Sequence, residues 1–199
     1  LTKNPNLNLT VENSSLLHFA CAMGGLEEHV LFATNAVAKL LQANCKILLS
    51  DELKRTPLHI AAMNGLTKCA GLLLSSVAAN CDTLSTELQL LQQTDRIGWT
   101  AIHTAVAFDR ADVVKFILNK FGDKKEEIKE LLNAQDVHGR TTLHLARERG
   151  NAEITKMLTT SGCSTSIVDK RGRTADDAGK EYGFDNHGNP THTKQKTAV

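Results

Sequence analysis

TPLHIAAMNGL, residues 56–66, is the stretch on which the reading of this chain turns. It recurs as SLLHFACAMGG (15–25), TAIHTAVAFDR (100–110) and TTLHLARERGN (141–151). A degraded fifth copy, TADDAGKEYGF (174–184), carries Asp177 where the others carry His18, His59, His103 and His144. These positions are spaced by 41, 44, 41 and 33 residues. The same short signature precedes three copies: Asp95-Arg-Ile-Gly98, Asp136-Val-His-Gly139 and Asp169-Lys-Arg-Gly172. The second copy has Asp51-Glu-Leu-Lys54 and the first Thr10-Val-Glu-Asn13. Such self-similarity marks a stacked array of one supersecondary unit.

Each unit follows from local chemistry. Asp-x-x-Gly predicts a tight turn, the carboxylate bonding nearby amides while glycine takes positive φ. Asn13 tolerates that conformation, and Lys54 is the one poor substitute. Thr56, Thr100, Thr141 and Thr174 are placed to cap a helix, and Pro57 stands at its first position, where no amide is needed. Leu58, Ala61 and Ala62 give the helix an apolar side until Gly65, or Gly150 in a later copy, stops it. A second helix carries Cys69, Leu72 and Leu73 in one copy, and Val113, Val114, Phe116 and Ile117 in the next. Neither helix is apolar all round, so one pair cannot bury its faces alone, whereas stacked pairs can.

On these residues, Thr-Pro-Leu-His-Ile-Ala-Ala at 56–62 with Asp-x-x-Gly-[Arg/Trp]-Thr before the later copies, the chain resembles the ankyrin repeat over roughly residues 10–184. The 33-residue spacing of the last copies is that family's period. The resemblance implies an all-α solenoid of hairpin-like turns and antiparallel helix pairs that binds protein partners. About four and a half repeats are expected, near 10–50, 51–94, 95–135 and 136–168, with a partial capping repeat at 169–184 and a tail at 185–199. It also implies that each histidine bonds backbone groups of an adjacent turn.

The first three repeats exceed 33 residues by 8, 11 and 8. With Ile47, Leu91 and Leu132 as anchors, the extra residues fall at the end of each second helix. Residues 123–132 begin with an Asp123-x-x-Glu126 capping box and align Ile128, Leu131 and Leu132. Residues 86–92 begin with Thr86-x-x-Gln89 and carry Leu88, Leu90 and Leu91. The insert near 34–43 extends its helix by about two turns. These additions either pack on the convex side and change curvature, or form partner-specific fingers. Asp176 and Asp177 give the last copy the polar character that a terminal repeat requires. The tail has no periodicity and is expected to fray. Its end, Lys196-Thr197-Ala198-Val199, fits a PDZ-type ligand only as a four-residue match.

Composition excludes several functions. With 23 basic and 22 acidic residues and a net charge of +1, the chain offers no overall field for nucleic acid or an anionic membrane. The turn segments hold seven Lys or Arg against five Asp or Glu, too even for a phosphate-tracking stripe. No apolar stretch approaches the roughly 20 residues of a membrane helix, and the opening residues lack the apolar run of a signal peptide. Five cysteines without CxxC pairs suggest a reducing compartment, so the expected location is cytoplasmic or nuclear. The missing initiator Met suggests a fragment or a processed chain.

No cofactor, metal or catalytic site is expected. Histidines on neighbouring stacked helices stand about 10 Å apart, too far to share an ion. His18-x-x-Cys21 has the spacing of a nucleophilic pair, yet Cys21 falls where Ala62 and Val106 fall and reads as a small core residue. GxxxxGK[ST], GxGxxG after a strand and HExxH are all absent. His187 and His192 lie in the tail. Asn8-Leu-Thr10 and Asn13-Ser-Ser15 are glycosylation sequons by pattern alone.

A repeat array binds through its turn tips and the exposed side of its first helices. Arg55, Trp99, Arg140 and Arg173 share one such position; Met23, Asn64, Phe108, Arg149 and Tyr182 share another, with Met63 beside Asn64. Trp, Tyr and Arg dominate interface hot spots. Trp99, Phe108, Arg140, Arg149 and Tyr182, flanked by Arg55 and Met63, are therefore the candidate partner-binding residues. Packing of Trp99 on the preceding insert, and of Phe108 on a neighbouring helix, is the competing reading. The expected function is a monomeric, non-catalytic protein–protein interaction module that binds no nucleic acid and inserts in no membrane. The alternatives are a regulatory cytosolic domain of a larger protein, channel-like and binding nucleotide or a calmodulin-like protein, or a host-targeted bacterial effector fragment.

Overall fold

The computed structural model describes residues 10–11, 14–25, 27–80, 85–122 and 125–185. The sequons, the Asp123 cap, the tail histidines and the C-terminal ligand motif depend on residues outside this set. The chain packs as two compact units, residues 1–119 and 120–199.

In the first unit, a two-residue ribbon pairs β1 (Thr10–Val11) antiparallel with β2 (Ser14–Ser15) and leads into α1 (Leu16–Met23). A 3-10 turn, Glu27–His29, runs into α2 (Val30–Gln42), a continuous helix of 13 residues that includes most of the first insert. The second repeat has α3 (Pro57–Met63) and α4 (Thr67–Asn80), followed by the insert helix α5 (Ser85–Gln92). The third has α6 (Ala101–Ala107) and α7 (Ala111–Lys120). First helices stack on one another, α1 on α3 and α3 on α6, while α2 lies on α4. Leu17, Leu58, Leu73 and Ile102 are buried in the resulting core.

The second unit holds the insert helix α8 (Lys125–Asn133), the pair α9 (Thr142–Glu148) and α10 (Ala152–Thr160), and the terminal helix α11 (Ala175–Glu181). Helices α8, α10 and α11 all pack on α9. The two insert helices lie down rather than project. Leu90 and Leu91 of α5 are buried against α4 and α6, and Ile128, Leu131 and Leu132 of α8 are buried in the second unit. Their period-3.6 apolar sides are thus core, which decides for packing over free-standing fingers.

The turns carry the expected chemistry. Asp51 Oδ1 accepts from the amides of Leu53 and Arg55 at 2.9 and 2.8 Å, and Asp95, Asp136 and Asp169 repeat that pattern two and four residues on. Gly98, Gly139 and Gly172 take φ of 78°, 79° and 74°, and Lys54 is forced to 60° at the same place. The helix caps meet expectation at two threonines and add a ring partner at four positions. The Thr100 and Thr174 hydroxyls accept the amide three residues on. The Ser15, Thr56, Thr100 and Thr141 hydroxyls all lie 2.8–2.9 Å from Nδ1 of the histidine three residues on. The cap residue's own amide donates to the same nitrogen, at 3.1 Å for Thr56. Histidine therefore stands where Glu or Gln completes a capping box. With two donors aimed at Nδ1, the proton resides on Nε2.

The last two copies depart from the repeat in a coordinated way. Arg147 occupies the core position of Cys21, Ala62 and Val106, and is 4% exposed. Its Nη2 lies 2.9 Å from Asp176 Oδ1, and Asp176 stands where earlier copies have Leu or Ile. Gly179 replaces the alanine found in every other copy, and a Cβ there would meet Arg147 Cβ at 3.2 Å. A large cation, its counter-ion and the space for it were exchanged together. The pair is incompletely solvated, since Arg147 Nε and Nη1 find no hydrogen-bond partner among the described residues.

Three outcomes are expected. Lys54→Gly relieves a left-handed lysine, which costs about 1–2 kcal/mol, but adds glycine's unfolded-state entropy. The net gain is about 0.5–1 kcal/mol, read as a Tm rise of about 1–4 °C.

His18 and His59 titrate below the ordinary 6.5 because burial penalises the charged ring, and the bonds to the Arg55 and Trp99 carbonyls only partly offset this. Above pH 6.5 both folded and unfolded rings are neutral and stability is undiminished. As pH falls below 6.5 the unfolded rings bind protons first, so stability drops by up to about 1.4 kcal/mol per pH unit per histidine until the folded rings titrate. A Tm that stays level from pH 7.5 to 5 contradicts this.

Asp176→Leu alone strands the buried Arg147 charge and costs about 2–3 kcal/mol. Arg147→Leu combined with Asp176→Leu costs less than that single change, as chemical denaturation of both variants will read.

Candidate functional site

The four repeated histidines form no site. His18 Nε2 donates to the Arg55 carbonyl at 2.8 Å, His59 Nε2 to Trp99 at 3.0 Å and His144 Nε2 to Arg173 at 3.0 Å. The His18, His59 and His144 rings thus each cap their own helix with one nitrogen and tie the next turn with the other. With both nitrogens of His18 engaged, it is no base for Cys21. That thiol is fully buried, and burial, with Cys69 nearby, pushes its pKa far above the range of a reactive cysteine. Cys163 is pushed up to about 11 by burial, against the Thr142 hydroxyl at 3.5 Å. Among the described residues no three His, Cys, Asp or Glu side chains gather as metal ligands.

In the first unit, Trp99 and Phe108 stand at the two ends of α6. Phe108, the residue just past the helix, is 43% exposed, while Trp99 is half-buried. The position of Phe108 corresponds to that of Asn64, whose Nδ2 donates to the Cys21 carbonyl of the repeat before it at 3.1 Å. One register position thus carries a structural amide in one repeat and an exposed ring in the next. The Met63 side chain is half-buried, and its carbonyl accepts from Arg110 Nε at 2.9 Å. Arg55 is half-buried and closes its own turn, Nε and Nη2 reaching Asp51 Oδ2 at 2.8 and 2.7 Å. Burial alone would raise the Asp51 pKa, but the Arg55 bonds outweigh it and hold the carboxyl below its ordinary value.

In the second unit, Arg140 and Arg173 do the same for Asp136 and Asp169. Glu148 joins them, its oxygens 3.2 Å from Arg140 Nη1 and 3.4 Å from Arg173 Nη2, and Glu181 meets the other side of Arg173. These charges alternate as Asp136–Arg140–Glu148–Arg173–Asp169, and all but Asp136 line a cleft of ≈ 230 Å³ that Tyr182 borders. Arg140 therefore has intramolecular carboxylates on three of its nitrogens and is 21% exposed. Tyr182 is 58% exposed and Arg149 is exposed, each at the end of its helix.

Sequence register could not separate these roles, because it shows which residues share a position and not which carboxylates reach them. The signal for Arg140 was nonetheless present: arginine follows the turn aspartate by four residues in three of four copies, as an internal ion pair requires. Trp99 breaks that pattern, leaving Asp95 half-buried and with no cation within ion-pair distance among the described residues.

The comparisons with known proteins agree with this geometry. The family pattern described as ankyrin repeats (3 copies) matches residues 17–128, and that of a single ankyrin repeat matches 138–170. The chain is 28% identical over 142 residues to the human transient receptor potential cation channel subfamily A member 1, covering 71% of this chain and 10% of that one. It is 37% identical over 95 residues to the neurogenic locus notch homolog protein 1 of Xenopus laevis, covering 46% of this chain and 3% of that one. It is 34% identical over 79 residues to the ankyrin repeat protein YahD of Escherichia coli K12, covering 36% of this chain and 34% of that one. The chain thus spans from a small fraction to about a third of the length of these relatives. Ankyrin repeats as a class are protein–protein interaction modules without catalysis of their own. By its repeated turn, its histidine-capped helices and these matches, this chain belongs to the ankyrin-repeat family.

Proposed function

We propose that this chain is a non-catalytic, monomeric module that binds a protein partner, and that Trp99 and Phe108 carry the contact in the first unit. The observation behind this reading is the solvent-facing ring of Phe108 at a position where the preceding repeat uses a polar, structurally bonded Asn64. Aromatic side chains contribute large contact area at low entropic cost, and such rings dominate interface energetics. Met63 and Arg55 flank this surface, Arg55 with its charge already matched by Asp51. In the second unit Tyr182 and Arg149 are the corresponding candidates, with Arg140 holding the cleft wall rather than reaching for a partner. No nucleic acid is expected, since Arg55, Arg140 and Arg173 of the turn row are paired with carboxylates of this chain.

No described helix is long and apolar enough to cross a membrane, and Cys21, Cys69 and Cys163 are buried free thiols. Free thiols support a reducing compartment, cytoplasm or nucleus. The 142-residue similarity to part of a human cation channel supports a second reading, in which this is the regulatory interaction domain of a larger protein. An ATP or calmodulin titration tests that reading.

For the first reading, partners are captured from lysate and their affinity for the purified chain is measured. Trp99→Ala with Phe108→Ala should weaken the captured partner by about 30-fold or more, the loss of a hot spot of about 2 kcal/mol. Phe108→Ala alone should move Tm by no more than an exposed substitution does, about 0.5 kcal/mol in stability. Unaltered affinity in the double variant, or affinity and Tm lost together, assigns both rings to packing.

A further inference from the structure

Three of the Asp turns hold a cation, and the turn of Asp95 does not. In each of the three, Oδ2 of the aspartate takes two nitrogens of the guanidinium four residues on. Arg55 reaches Asp51 Oδ2 with Nε and Nη2 at 2.8 and 2.7 Å. Arg140 reaches Asp136 Oδ2 at 3.0 and 2.8 Å, and Arg173 reaches Asp169 Oδ2 at 2.9 and 2.6 Å. These three aspartates are buried, 8%, 5% and 6% exposed.

The turn of the third repeat keeps the backbone half of this arrangement and lacks the other half. Asp95 Oδ1 accepts the amides of Ile97 and Trp99, both at 2.9 Å, which orients the carboxylate as in the other turns. Residue 99, the place of the guanidinium, is tryptophan. Among the described residues no lysine or arginine takes over at Asp95 Oδ2, and Asp95 is half-buried where its counterparts are buried. The turn faces solvent, Ile97 being 40% exposed. A carboxylate already fixed by two amides offers a cation strong hydrogen bonds without first having to be ordered. Four residues on stands an indole, the ring that best accepts a cation over its face.

We propose that Asp95 and Trp99 receive an arginine side chain of the protein partner, its guanidinium taking the place at Asp95 Oδ2 that Arg55, Arg140 and Arg173 fill in the other turns. The chain thus carries three worked examples of the contact and leaves a fourth for another molecule. Arginine is favoured over lysine because two nitrogens of one planar fork share the oxygen in every internal example, which the single nitrogen of an ammonium cannot copy. The partner segment that meets the third repeat is therefore basic at this point, with Phe108 offering apolar contact at the other end of α6. This inference deepens the contact proposed at Trp99 and Phe108 and rests on it.

The test titrates the 199-residue chain with a capped Gly-Arg-Gly peptide and follows the NMR shifts of the amides of residues 97 and 99, which rest on the Asp95 carboxylate. The peptide should shift both amides saturably. Its citrulline counterpart, alike in shape but uncharged, should bind at least about 10-fold more weakly, and its lysine counterpart several-fold more weakly. Asp95→Asn keeps an oxygen for the two amides but removes the charge, and should weaken the arginine peptide by at least about 10-fold. Trp99→Arg supplies the cation from within and should abolish binding, whereas Trp99→Gln, without ring or charge, should keep a weakened, charge-dependent binding. Should Asp95→Asn lose its fold, the contrast between Trp99→Arg and Trp99→Gln decides. Equal binding of the arginine and citrulline peptides, binding unmoved by Asp95→Asn or Trp99→Arg, or no saturable shift at all overturns the inference. A captured partner weakened by the Trp99→Ala, Phe108→Ala pair but indifferent to Asp95→Asn keeps the contact surface and overturns the arginine alone. A partner indifferent to both removes the contact surface and the inference with it.

Discussion

Everything in this chain depends on a neutral imidazole that bonds in two directions at once. Nδ1 closes the first turn of its own helix by accepting from the cap residue three positions earlier, and Nε2 donates to a carbonyl in the next turn. Local capping and repeat-to-repeat registry are therefore one interaction. Glu or Gln could complete the cap but not bridge onward from a buried site without carrying a charge or an amide too short of partners. A histidine held in one tautomer satisfies both ends, as at His18, His59 and His144. The aspartate of each turn works in parallel, holding two amides with one oxygen and, in three repeats, an arginine with the other.

Much of this was legible from residue types. The fourfold motif, the positive-φ turn positions and the helical inserts follow from periodicity and from what glycine, threonine and aspartate do locally. Even the awkward fit of Lys54 is visible in advance, because the backbone at that position is dictated by the turn and not by the residue. The small core role of Cys21 follows from its alignment with Ala62 and Val106.

The site was less legible, for a physical reason. A solvent-facing position is free to hold arginine for an external contact or for an internal carboxylate, and the repeat register is silent on which. Arg140 and Arg173 belong to the internal network through Glu148, a residue eight positions from Arg140 and in the adjoining helix. Arg147 is a similar case. An arginine within the motif reads as surface until Asp176 and Gly179 are set beside it, and only the three departures together describe a buried pair with room made for it.

The third repeat has one further property, arising from the exchange of arginine for tryptophan at residue 99. This is the only indole in the chain, and its backbone carbonyl receives the bond from His59. Emission excited at the red edge of the absorption band, where only indole absorbs, therefore originates at a single seam between two successive repeats. Loosening of that seam would register as a spectral change even while the remaining helices kept their circular dichroism, giving the array a built-in optical gauge of where it begins to come apart.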